Sequence, residues 1–268
     1  MKKLDCYMSS CHTLCRSDWM ACIDWARETG FSGLEFFDEE NENFSSMQPE
    51  RAAEIGLKAK QAGIVLSAHP WIRWAELPED EMIAHYRYVV ARCAEMGVKY
   101  LNMHLNFVSD RKQGMQRLFR ATDACLQQIA DAGMTLLYEN VPEYGKRELG
   151  SEAGDFDALF RYYPSDVPIG MNIDTGHAHI MHQLMPLAQE HGERWIYTHI
   201  NDNDQLKDHH YAPGDGTLDF ALAARLAKEA GYTGPLLMEY NQRGLASGMA
   251  ELERIYGAAG YVLDRIDP

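Results

Sequence analysis

Met134-Thr135-Leu136-Leu137-Tyr138-Glu139-Asn140 is a short apolar run that stops on a carboxylate. Its length and composition predict a buried β-strand. The carboxylate is the informative part, because the arrangement recurs at a fixed interval. Ile64 to His69, Tyr100 to Leu105 and Ile169 to Ile173 are further strand candidates, and His69, His104, Glu139 and Asp174 at or beside the strand ends follow one another every 35 residues. One metal-capable side chain closes each unit.

Outward from this repeat, Lys3 to Met8, Gly33 to Phe37, Trp195 to Ile200 and Pro235 to Glu239 complete a set of eight strand candidates. Amphipathic stretches lie between them, such as Asp18 to Thr29, Glu79 to Met96 and Arg117 to Ala132, with apolar residues near helical spacing. Gly30, Gly63, Gly97, Gly133 and Gly231 each follow a helical stretch and precede a strand, where a helix-stopping glycine belongs. The alternation predicts repeated βα units and a parallel sheet. No linker or low-complexity tract divides residues 1–268, which predicts one domain. An open doubly wound sheet would share this alternation. Eight units in 268 residues, without a Gly-rich phosphate fingerprint, favour closure into an α/β fold of the (β/α)8 TIM-barrel type.

A content of 46% hydrophobic and 24% charged residues suits a globular chain long enough to bury a large core. The formal charge of −15 disfavours broad contact with nucleic acid or anionic membranes, and basic residues occur only as scattered pairs such as Arg111-Lys112 and Lys146-Arg147. Met1-Lys2-Lys3-Leu4-Asp5-Cys6 lacks the apolar stretch of a signal peptide, and no 18-residue apolar run occurs, so a cytoplasmic location is expected. Cys6, Cys11, Cys15, Cys22, Cys93 and Cys125 contain no C-x-x-C pair and read as buried thiols, not as a disulfide framework. Cys11, His12 and Cys15 fall within one turn but lack a fourth ligand for zinc.

The C-terminal strand ends of a closed barrel converge on one mouth, where active sites of this fold lie. His199 in Tyr197-Thr198-His199-Ile200 and Glu239 in Leu236-Leu237-Met238-Glu239 continue the series. His177 stands three residues beyond Asp174, and Asp208 and His210 precede the turn Pro213-Gly214-Asp215-Gly216. The candidate ligands are therefore His69, His104, Glu139, Asp174, His177, His199, Asp208, His210 and Glu239. Buried carboxylates need pairing or a cation. A purely salt-bridged mouth needs cationic partners, and almost none lie beside these strands. His179 and His182 cannot both share a helix face with His177. Trp71 and Trp74, after His69, are expected either to wall a pocket or to pack the rim. Glu35, taken as the end of the second strand, is expected to contact substrate or orient a histidine.

GFSGLEFF, SAHP, LNMH, LLYEN, NIDTGHAH, THINDN, DHHYAPGDGTLDF and LLMEY, in this order and spacing, resemble the xylose isomerase-like TIM-barrel superfamily, which joins sugar isomerases and epimerases with the endonuclease IV group. The resemblance spans essentially the whole chain. For a sugar epimerase it implies one divalent ion, often manganese, with cobalt, magnesium or zinc as alternatives, held by Glu139, Asp174, His199 and Glu239. It further implies that Glu139 and Glu239 shuttle a proton on and off carbon while His177 contacts the sugar. Charge on the resulting enediolate is the kind a chelating cation stabilises. A related lyase or dehydratase would begin with the same enolisation.

The endonuclease IV resemblance implies a phosphodiesterase with up to three zinc ions on all nine candidates. Between the ligands the chain departs from that group. Val141-Pro142-Glu143 follows Glu139-Asn140 in place of a small glycine-containing loop, Leu105-Asn106-Phe107 follows His104, and Asn203-Asp204 follows Asp202. With the acidic charge, these departures favour a small carbohydrate over nucleic acid as partner. The lack of a Lys or Arg cluster disfavours a phosphorylated sugar, Arg243 being the one cation near the mouth. A homo-oligomer, by default a dimer, is expected of a soluble enzyme.

Overall fold

Parallel strands form at β1 (Lys2–Ser9), β2 (Gly33–Phe37), β3 (Val65–His69), β4 (Tyr100–His104), β5 (Thr135–Glu139), β6 (Ile169–Asp174), β7 (Trp195–Ile200) and β8 (Leu236–Met238). Each pairs with the next, and β1 pairs with both β8 and β2, so the eight strands close into a barrel. The chain is thus a (β/α)8 TIM barrel. Residues 1–11, 18–40, 42–71, 77–105, 110–143 and 148–266 are described by the computed structural model. His12, Cys15, Trp74, Asn106, Phe107 and the pair Lys146-Arg147 lie outside the described residues.

The expected helices Asp18–Thr29 and Glu79–Met96 appear as α1 (Trp19–Glu28) and α3 (Glu79–Met96), with α2 (Pro49–Ala62) between them. The stretch predicted from Arg117 begins earlier, as α4 (Arg111–Asp131), because the Asp110 carboxylate caps it by accepting from the Gln113 amide at 2.8 Å. The remaining helices are α5 (Ala153–Tyr162), α6 (Thr175–Ile180), α7 (Leu184–His191), α8 (Phe220–Glu229) and α9 (Leu245–Ala258). Gly97 shows why glycine ends these segments: at φ 71° it turns the chain left-handed out of α3, and Val98 N then reaches Cys93 O at 3.0 Å.

One strand was not expected. A short β9 (Tyr261–Asp264) pairs in parallel with Lys2–Asp5, the first half of β1, while β8 pairs with Cys6–Met8 beyond it. The length of β1 lets it serve both neighbours.

Side chains alternate across a strand, so one face of each points into the barrel. Tyr7, Tyr100, Leu137, Tyr197 and Leu237 form a buried inner cluster. Gly33 makes room for it, since a Cβ there would lie 2.4 Å from the Tyr7 ring. Two residues further along the same strands stand Ser9, Asn102, Glu139, His199 and Glu239, again inward but at the mouth. The apolar plug and the polar mouth are successive layers of one face. Among the described cysteines, Cys6, Cys22, Cys93 and Cys125 are buried and Cys11 is partly so. No helix among the described residues is long and apolar enough to cross a membrane.

Candidate metal centre

Strand register gathers the candidates. His104 lies beside Glu139 across β4–β5, and Asp174 lies beside His199 across β6–β7. Glu139 is itself level with Asn172, so Asp174 stands one inward position higher. Glu139, Asp174, His199 and Glu239 are all buried.

Amides pin two of the carboxylates. Glu139 Oε2 accepts from Asn102 Nδ2 and, at 3.0 Å, from Asn172 Nδ2. Asp174 caps α6, its Oδ1 accepting from the His177 amide at 2.7 Å and its Oδ2 from Asn201 Nδ2 at 2.7 Å. Asn140 clamps the Asp174 backbone from both sides, at 2.8 and 3.1 Å. Among the described residues, Glu139 Oε1 and His199 Nδ1 remain buried without a hydrogen-bond partner.

His199 Nδ1 lies 2.9 Å from Glu239 Oε2, 3.5 Å from Glu139 Oε2 and 3.8 Å from Asp174 Oδ2. The 2.9 Å approach lacks hydrogen-bond alignment, leaving Nδ1 unsatisfied. Ligands at about 2.0–2.2 Å from a common cation stand about 2.8–3.6 Å apart, depending on coordination geometry. Two of the three separations lie in that range, and the donor set of three carboxylates and one imidazole suits a divalent ion.

The electrostatics favour the same occupant. Burial, reinforced by Glu239, Glu139 and Asp208 against His177, pushes Asp174 up to about 8. Burial also acts on Glu139, but His199 and His69 overcome it and hold that carboxyl well below the usual range. Burial opposes charge on His199, yet Glu239, Glu139 and Glu35 outweigh it and lift the imidazole well above its ordinary value. Without a cation, one carboxylate must keep a proton while its neighbour ionises. No Lys or Arg among the described residues lines the cavity above to relieve this.

That cavity, about 270 Å³, is walled by His69, His104, Glu139, His177, Asp208, His210 and Glu239 together with Phe37, Trp71, Val141, Pro142 and Glu148. His177 donates from Nδ1 to Asn140 O at 2.9 Å, and its Nε2 lies 3.1 Å from Asp208 Oδ2. His210 donates from Nδ1 to Glu239 O at 2.8 Å, with Nε2 3.0 Å from the same Asp208 oxygen. Asp208 therefore bridges two imidazoles, and the His177 ring lies 6.2 Å from that of His104.

The inward residues just described are carried on a barrel that a family model, described as xylose isomerase-like TIM barrel, matches over residues 23–260. The chain belongs to this family. Within the xylose isomerase-like barrels, a solved structure of D-psicose 3-epimerase in the presence of D-fructose superposes with a TM-score of 0.78 at 14% identity, covering 96% of this chain and 100% of that one. The IolI protein with a bound zinc atom gives 0.77 at 16% identity, covering 97% and 99%. Uncharacterized protein y4fM of Sinorhizobium fredii (strain NBRC 101917 / NGR234) is 27% identical over 187 residues, 65% of this chain and 55% of that protein. The chain thus spans about half the length of that curated relative.

All nine candidate ligands of this family member lie at one mouth, seven of them on the cavity wall, with Asp174 and His199 beneath. His179 and His182 turn elsewhere, to Thr217 Oγ1 and Gln205 Nε2. Trp71 lines the cavity while remaining 52% exposed. Arg243 is exposed and is not a lining residue. Glu35 is mid-strand, not terminal as expected, because β2 runs on to Phe37 in register with His69.

Several site residues escaped the sequence reading. Glu148, nine residues past β5, is 6% exposed, and burial pushes its carboxyl up to about 7. A loop position carries no periodic signal. Asn102 and Asn172 did carry one, since asparagine is depleted in strands and each sits two residues before a candidate ligand.

Proposed function

We propose that this chain is a metal-dependent isomerase or epimerase of a small, unphosphorylated sugar, keto-sugar or cyclitol derivative. The observation carrying this reading is the pair Glu139 and Glu239, both on the cavity wall and both against His199. Their strands are three apart around the barrel, so the carboxylates approach a bound molecule from different sides. One removes a proton from carbon and the other, itself protonated from solvent, delivers a proton to the opposite face or to the adjacent carbon. The likeness to D-psicose 3-epimerase supports this chemistry, and the zinc in IolI supports a divalent ion.

Glu139, Asp174, His199 and Glu239 would hold the ion, which when bound supplies Lewis-acid stabilisation of charge developing on substrate oxygens. His177, with Nδ1 committed to a carbonyl, offers Nε2 to a hydroxyl in competition with Asp208. Glu148 offers a carboxyl at the wall. Phe37, Val141 and Pro142 exclude water from one side. The absence of Lys and Arg from the described lining selects against phosphate.

The test is incubation of Mn(II)-, Co(II)- or Mg(II)-loaded protein with a ketose panel in heavy water. Deuterium should enter a carbon next to the carbonyl. No incorporation, combined with cleavage of abasic-site DNA, overturns the proposal. One observation favours that second reading, a zinc phosphodiesterase: His69, His104 and Glu139 also cluster closely enough for an ion, and Asp208 bridges His177 and His210. Three zinc ions per chain would support it, and one exchangeable ion the isomerase.

A further inference from the structure

Strand β2 places under the mouth a carboxylate that the proton-transfer scheme does not use. Glu35 is fully buried and does not line the cavity. Its register partners are Ser9 and Ser67, small residues that leave space above it. Two histidine rings fill that space. Glu35 Oε1 lies 2.9 Å from Nε2 of His199 and 3.6 Å from Nδ1 of His69. The other edges of both rings face upward: His199 Nδ1 toward Glu239, Glu139 and Asp174, and His69 Nε2 toward Glu139 Oε2 at 3.7 Å. Among the described residues neither upward nitrogen has a hydrogen-bond partner, and both Glu35 oxygens likewise lack an aligned one despite the 2.9 Å approach to His199.

We infer that Glu35 is a positioning residue that accepts N–H from His199 Nε2 and, as a nearby anion, draws the N–H of His69 to Nδ1, so that both rings present an unprotonated nitrogen to the mouth. A neutral imidazole has one N–H and one lone pair, and only the lone pair can ligate a metal or accept a substrate proton. An anion on one edge draws the proton to that edge. Asn102 Nδ2 competes, lying 3.3 Å from His69 Nδ1 and 3.4 Å from His199 Nε2, where donation would reverse both tautomers. Its nearest acceptor, however, is Glu139 Oε2. For His199, the carboxylate at 2.9 Å is not yet aligned for a hydrogen bond, but once the ring turns to meet it a charged acceptor outweighs a neutral donor at 3.4 Å. Glu35 in turn needs these donors, because a buried carboxylate without them is costly and no Lys or Arg pairs with it among the described residues.

The inference rests on His199 belonging to the metal centre, and the test separates the two. Zn(II) affinity is measured by chelator competition for wild type, Glu35→Gln, Glu35→Asp, Glu35→Met and His199→Ala, with circular dichroism as the fold control. Zinc-loaded wild type with 15N-labelled histidine should show a protected, downfield proton on His199 Nε2, with His69 protonated at Nδ1. Glu35→Gln and Glu35→Met should bind zinc about 10- to 100-fold more weakly and lose that downfield shift, with Glu35→Asp partly restoring both. Wild-type zinc affinity in His199→Ala sinks the metal-centre reading itself. If His199→Ala loses zinc while the Glu35 variants keep wild-type affinity, the positioning role is wrong. Absence of the downfield His199 proton in wild type overturns it even if every Glu35 variant misfolds.

Discussion

Glu139 and Glu239 have two duties at once, as acid/base groups and as metal ligands, and single substitutions must be measured on both. Glu139→Gln or Glu239→Gln should lower solvent deuterium exchange into substrate by about 10²–10⁴-fold at saturating metal. An exchange rate within a few-fold of wild type for either would remove that residue from proton transfer. Glu148 makes a cleaner case because it is not one of the four proposed ligands. Glu148→Gln should raise KM about tenfold through a weakened hydrogen bond to substrate while leaving metal affinity unchanged, and calorimetric metal titration checks the second half. A coupled loss of metal would make it part of the centre. At this scale the strand-end residues were legible because a charged side chain closing an apolar run stands out. Glu148 was not, since burial of a loop carboxyl depends on what folds over it.

Between strands, loops decide how the ligands are presented. The loop after β7 is organised by Asp202, which is fully buried and accepts from the backbone amides of Asn203 and Leu218 through Oδ1 and of Gly214 and Gly216 through Oδ2. This knot gathers the Pro213–Gly216 turn under the segment that carries Asp208 and His210. Asp202→Ala strands several buried donors and should cost about 3 kcal/mol in urea unfolding, together with weaker substrate binding. A loss below about 0.5 kcal/mol would show that water replaces the carboxylate. The turn was visible in the sequence as Pro-Gly-x-Gly, whereas its anchor eleven positions upstream had no local signature. The same limit applies to β9: a four-residue strand is recognisable only by its partner, the start of β1.

For the molecule as a whole, the mouth makes stability depend on proton and metal together. Asp174 is raised from near 4 to about 8, so the folded metal-free protein holds a proton that the unfolded chain releases, and stability falls as pH rises across that interval. His210 acts in the same direction: Asp208 and Glu239 overcome burial and lift it to about 9, and its contribution is lost as pH rises through that value. Metal-free protein should therefore lose thermal stability between pH 6.5 and 8. Metal-loaded protein should lack the Asp174 part of this slope, because its ligands are already deprotonated. Metal affinity should rise about tenfold per pH unit below 8 for each proton displaced. A flat metal-free melting profile would refute the coupling. The sequence by itself determined the repeat, the closed barrel and the nine polar residues of the mouth, because strand period, helix-stopping glycines and costly terminal charges are properties of local stretches. Only the tertiary structure decided that His199 sits among three carboxylates with Glu35 behind it, and that Glu148 completes the wall. Those relations depend on register across the sheet and on loops folding over it, where distance in space is independent of distance along the chain.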